Sequence, residues 1–97
     1  MFPAFISTSG ERFPLGRIVA TRGVLRAVIG ADLSAALARH AQGDWGDLSP
    51  DDRAANDSAL RHGDRLLSSY KSESGVKFWI ITEADRSVTT FLLPEEY

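Results

Sequence analysis

The sequence predicts an α+β domain: a short N-terminal strand, two to three helices, then a three-stranded antiparallel β-meander with the helices packed on one face. Three observations carry that reading. Apolar residues recur at helical spacing only between residues 22 and 62. β-Branched and aromatic segments separated by polar turns fill residues 65–93. A chain of 97 residues supports one core and not two, so residues 1–97 are read as a single domain, with residues 1–12 expected to be flexible.

Ser7-Thr8-Ser9-Gly10 reads as a turn, and Phe13–Ala20 offers Leu15, Ile18 and Val19 to a strand. Thr21 is placed to cap a short helix from Arg22, in which Val24, Leu25, Val28 and Ile29 fall at helical spacings before Gly30 stops it. Asp32 is placed to cap a second helix, whose Leu33, Ala36, Leu37 and His40 form one stripe until Gly43. Gly43–Leu48 then reads as a loop around Trp45. Ser49-Pro50-Asp51-Asp52 is a compound start signal: a hydroxyl cap, a proline at the first helical position and two carboxylates at the positive end of the helix dipole. It predicts a third helix from Pro50 to about His62, with Gly63 as C-cap.

The strands are Arg65–Lys71, Val76–Glu83 and Val88–Leu93, joined through Ser72–Gly75 and Ala84–Ser87. Val76, Phe78 and Ile80 point to one face of the middle strand; Trp79 and Ile81 point to the other. Both faces therefore need cover. The helices supply one, and the N-terminal segment or a partner subunit is expected to supply the other. Pro94 ends the last strand because it has no N–H to give the ladder.

Composition excludes several function classes. Apolar residues at 43% and charged residues at 25% are ordinary globular usage, which removes disordered and coiled-coil classes. Without cysteine there is no disulfide framework, thiolate metal site or cysteine nucleophile. A net charge of −2 gives no basic footprint for phosphate backbones, so nucleic acid is not favoured as a partner. The sign is uneven: residues 1–40 carry +3, residues 41–64 carry −4 from six Asp against two Arg, and the remainder carries −1. Met1–Ile6 lacks the basic and long apolar regions of a signal peptide, and no apolar run approaches the ~20 residues that span a bilayer. A cytoplasmic protein without membrane association is expected. No Gly-rich phosphate loop, Gly-x-Ser-x-Gly elbow or His-Glu-x-x-His is present, and neither cofactor nor metal is expected.

Three groups of residues carry candidate chemistry. His40, Asp44 and Asp47 gather an imidazole and two carboxylates around Trp45, the residue types of a hard-metal or acid/base site, although the spacing fits no metal motif. The alternative is structural: a packed or capping histidine, and loop aspartates bonded to their own backbone. Asn56 and Asp57 sit mid-helix among small residues, where they either bond a buried backbone group or present a recognition surface. Arg65, Ser69, Tyr70, Thr82, Arg86, Ser87, Thr89 and Thr90 stud the meander with guanidinium and hydroxyl groups suited to an anion, or else serve as ordinary strand and turn residues. The candidate binding surface is thus His40, Asp44, Trp45, Asp47, Arg65, Arg86 and Thr89.

Taken together, His40–Leu48, Asn56-Asp57, Arg65–Tyr70, Ile80–Ser87, Thr89-Thr90 and Leu92–Tyr97 resemble a group of short bacterial proteins found on plasmids and other mobile elements, over about residues 15–97. The resemblance implies a genomic setting and carries no activity or functional residue with it. Accessory proteins in that setting act against host defence or in toxin–antitoxin pairs.

Two functions follow as expectations. The first is a non-enzymatic accessory protein that binds a protein partner, or itself, through the sheet face or the acidic stretch from Asp44 to Asp64, modulating host defence. The second is a small metal-independent ribonuclease or toxin-like enzyme of barnase- or RelE-like plan, with His62, Arg65, Tyr70, Arg86 and Thr89 on one sheet face.

Overall fold

In the computed structural model, which describes residues 11–97, the start signal at Ser49 operates as the sequence predicts. Ser49 Oγ accepts from Asp52 N at 3.1 Å, Pro50 opens helix α3 (Pro50–His62), and Gly63 closes it in the left-handed region at φ 76°. The turn read at Ser7–Gly10 lies outside the described residues, as does most of the segment expected to be flexible.

The first two helices divide differently from the sequence reading. Helix α1 (Arg22–Ala27) is capped by Thr21, whose side chain accepts from Val24 N, but Gly30 does not stop it. Val28 and Ile29 take extended backbone, so the break falls before Gly30, which opens α2 (Gly30–Ala41). β-Branched Val28 and Ile29 fit extended backbone well, and a glycine at the first helical position costs little because it lies outside the helix interior. Asp32 therefore lies in the first turn of α2, not at its cap, and its carboxylate accepts from Glu73 N at 3.1 Å.

Strands β1 (Arg17–Ala20), β2 (Leu66–Lys71), β3 (Lys77–Thr82) and β4 (Val88–Leu92) form one sheet in the order β1-β4-β3-β2. β2, β3 and β4 make the antiparallel meander. The expected three-stranded sheet needs correcting, however: β1 joins β4 in parallel, Ile18 opposite Thr89 and Ala20 opposite Phe91, giving a four-stranded mixed sheet. Parallel neighbours require a long crossover, and the three helices between β1 and β2 belong to it. Alternation along β1 marks a strand but names neither its partner nor its direction. The chain ends in a 3-10 turn (Pro94–Glu96). Glu96 ties that turn to α1 by accepting from Thr21 Oγ1 and Gly23 N.

Alternate residues of the sheet face opposite ways. On the inner face Ile18, Leu66, Tyr70, Phe78, Ile80 and Phe91 meet Val24, Leu33, Leu37 and Trp45 in one buried core. On the outer face lie Leu67, Ser69, Trp79, Ile81, Thr90 and Leu92, of which Leu67, Trp79 and Thr90 are only partly buried. Tyr97 folds back over this face, its ring edge-on to Trp79 with centroids 5.8 Å apart.

The β2 edge is closed by side chain and loop. Asn56, buried on α3, donates to Leu67 O and accepts from Leu67 N. Two residues further along, Ser69 N donates to Trp45 O (3.1 Å) and Asp47 N donates to Ser69 O (2.7 Å). An open strand edge is a pairing hazard, and here the edge groups of Leu67 and Ser69 are satisfied within the chain. Gly46 makes the loop possible: at φ 75° it passes so close to β2 that a Cβ would stand 2.1 Å from Ser69 O.

Candidate functional site

His40 is fully buried at the end of α2, against the inner face of the sheet. Its Nδ1 is 2.6 Å from Ser68 Oγ and its Nε2 is 2.9 Å from Thr82 Oγ1, which lies 2.8 Å from Thr89 Oγ1. Thr89 donates in turn to Leu15 O at 2.6 Å. A carbonyl only accepts, so the direction of the whole chain follows from that last bond. Thr89 donates to Leu15, Thr82 donates to Thr89, His40 Nε2–H donates to Thr82, and Ser68 donates to an unprotonated Nδ1. The imidazole is neutral with its proton on Nε2. Burial, with a smaller contribution from the Arg86 charge, lowers the His40 pKa to about 3. Phe13 and Trp45 pack edge-on against the ring.

The other residues read from the sequence as a binding surface occupy separate places. Trp45 is buried and donates through Nε1 to Asp57 Oδ1 at 2.9 Å. Asp44 pairs with Arg39 across the surface at 2.7 Å, a hydrogen bond that holds the Asp44 carboxyl below the usual carboxylate range. Thr89 belongs to the buried hydroxyl chain. Arg86, in the left-handed region at φ 61°, donates to Asp64 O and Glu83 O and lies over the Phe13 ring, clamping the β3–β4 turn to the end of α3. Arg65 stands on the outer face, paired with Glu83 and donating to Tyr97 Oη. His40, Trp45 and Thr89 are thus enclosed, while Asp44, Asp47, Arg65 and Arg86 are spread over different parts of the molecule. Among the described residues no group of three His, Asp or Glu side chains is arranged to hold a metal ion.

The residues of the ribonuclease reading do not converge either. Tyr70 and Thr89 point into the core, and Tyr70 Oη donates to Asp44 O; burial raises its phenol pKa. Arg65 points the other way. His62 stays at the end of α3, its ring bonded to Ser58 O.

What the structure does bring together is the acidic stretch and the outer sheet face. Asp47, Leu48, Ser49, Asp52, Ala55 and Asn56 form one wall of an open cleft of about 500 Å³, and Leu67, Ser69, Lys77 and Trp79 form its floor and far rim. Asp47, Asp52 and Lys77 are exposed, and Trp79 is partly buried. Ser69 is 3% exposed, yet its Oγ has no hydrogen-bond partner among the described residues. Buried hydroxyls are normally bonded, because removing one from water without a partner costs about 1–3 kcal/mol. Of the cleft residues, Asp47, Asn56 and Ser69 were among the sequence candidates. The signal for the others was the large apolar content on both faces of β3, which shows that Trp79 needs cover without showing what borders it.

The fold and cleft define an α+β domain with a four-stranded mixed sheet and a cleft beside the partly exposed residues of its outer face. The chain matches no protein-family model, no curated protein and no solved structure. No helix among the described residues is long and apolar enough to cross a membrane.

Proposed function

We propose that the chain is a non-enzymatic accessory protein of bacterial mobile elements that binds a protein, modulating host defence, and that its working surface is the outer face of the sheet. One observation carries the binding reading: the inner face is sealed and its polar groups are bonded, whereas the outer face leaves Trp79 and an unsatisfied Ser69 beside an open cleft. Aromatic side chains beside a cleft, ringed by polar groups, are the usual anchors of a protein interface. The mobile-element setting rests on the sequence resemblance and not on the cleft.

The test compares wild-type protein with Trp79→Asp in affinity capture from the native host, alongside sedimentation of the purified chain. A defined protein, or a second copy of the chain, is expected on wild type and lost from Trp79→Asp, with cooperative thermal unfolding showing that the variant is still folded. A strictly monomeric chain that retains nothing specific, or a partner held equally by both, removes the reading.

A further inference from the structure

We infer that the cleft between α3 and the outer sheet face takes a guanidinium group carried on a partner polypeptide; this rests on the protein-binding reading and names the chemistry of the group bound. The charge pattern points first to a cation. Asp47 and Asp52 line the α3 side, against Lys77 on the far rim, so the cleft has a carboxylate excess. Neither carboxylate has a side-chain ion pair among the described residues, unlike Asp44 with Arg39 and Glu83 with Arg65.

The aromatic pattern points to arginine in particular. The molecule already places an arginine over Tyr70, Tyr97 and Phe13, at 4.9, 5.2 and 5.7 Å from the ring centroids. Of the two rings that reach the surface on the outer face, Tyr97 has Arg65, while Trp79 has no cation among the described residues. Indole is the strongest cation–π partner, and a planar guanidinium both stacks on it and donates in a fork to carboxylates. The aliphatic stem of such a side chain lies against Leu67 and Ala55. Ser69 Oγ, buried beneath the floor without a partner among the described residues, reaches a backbone carbonyl of the incoming segment once the side chains above it part, which favours a polypeptide over a free cation. Lys77 on the opposite rim accommodates a carbonyl or an acidic neighbour. A cleft of about 500 Å³ is the right size, within the roughly 300–1,000 Å³ of small-ligand sites.

The probe is the capped tripeptide acetyl-Gly-Arg-Gly-amide, titrated into the ¹⁵N-labelled full chain, with the citrulline peptide as its neutral isostere and free arginine as the third arm. The Trp79 indole resonance, identified by its loss in Trp79→Phe, shifts saturably with the arginine peptide, whereas that of Trp45 does not. Asp47→Asn and Asp52→Asn each weaken binding about threefold, in keeping with exposed ion pairs. Ser69→Ala weakens it about threefold, the effect of one neutral hydrogen bond. The citrulline peptide binds at least tenfold more weakly. Equal binding of the citrulline peptide, or no saturable shift up to about 10 mM, overturns the inference. Tenfold tighter binding of free arginine overturns the polypeptide part. If Trp79→Asp abolishes partner capture while the peptide fails to bind, the protein-binding reading stands and this inference falls. Peptide binding by a chain that captures no partner removes the protein-binding reading and, with it, the partner in this inference, leaving only the guanidinium site.

Discussion

The inner and outer faces of the sheet are made from alternate residues of the same strands, yet they are finished differently. Ser68 and Ser69 are neighbours in β2 and both are buried, at 0% and 3% exposure. Ser68 turns inward and its hydroxyl bonds His40; Ser69 turns outward and its hydroxyl bonds nothing among the described residues. On the inner face Ser68, His40, Thr82 and Thr89 belong to a chain whose end is the Leu15 carbonyl, so removing one member leaves others buried without partners. On the outer face Trp79 and Leu67 are partly open, and a substitution disturbs a surface. The difference separates what holds this protein together from what is available to a partner.

The hardest test of the inner face is His40→Ala. It leaves a cavity beside Phe13 and Trp45, takes the acceptor from Ser68 and the donor from Thr82, and should cost about 4 kcal/mol of unfolding free energy in urea titration. Trp79→Ala on the outer face should cost clearly less, because the ring is only partly buried. Comparable losses would mean that both faces are equally structural.

Acid sharpens the same contrast. The His40 pKa is about 3 in the folded chain, against an ordinary value of 6.5 when unfolded. Below pH 6.5 the unfolded chain takes up a proton that the folded chain refuses, so stability is full above 6.5 and falls as pH drops towards 3. The loss between pH 7 and 4.5 is about 2.5 kcal/mol, from 1.36 kcal/mol per pH unit. Denaturation at those two pH values measures it. His40→Gln, which is less stable at neutral pH, should show little further loss over that interval; an unchanged pH dependence would show that other groups are responsible.

Much of the inner architecture was legible because it depends on local chemistry. Ser49, Pro50 and Gly63 bound α3 through caps and backbone dihedrals, and the four-residue segments after Lys71 and Glu83 bend as their composition suggests. The parallel pairing of β1 with β4 was not legible, since partner choice depends on residues some 70 positions away. The same separation hid the candidate site. His40 and Trp45 are chemically conspicuous but buried, while Asp47, Asp52, Ser69 and Trp79 come from a loop, a helix and two strands and acquire meaning only when the fold assembles them. Asn56 was a partial exception. Its poor fit to a helix interior pointed to a buried backbone bond, and the bond is made to Leu67 at the sheet edge.

The finest test is the pair of alanine substitutions at Ser68 and Ser69. The two changes remove the same atom from the same strand, so strand propensity and the loss of the oxygen's volume nearly cancel between them. Ser68→Ala leaves His40 Nδ1 buried without a donor and should cost about 2 kcal/mol. Ser69→Ala removes a hydroxyl that already lacks a partner, so relief of its burial offsets the lost contacts and stability should change by less than about 0.5 kcal/mol. Guanidinium denaturation of the two variants decides the matter. Equal destabilisation would show that Ser69 has a partner in the folded chain, and the outer cleft would lose the unsatisfied group that distinguishes it from the sealed inner face.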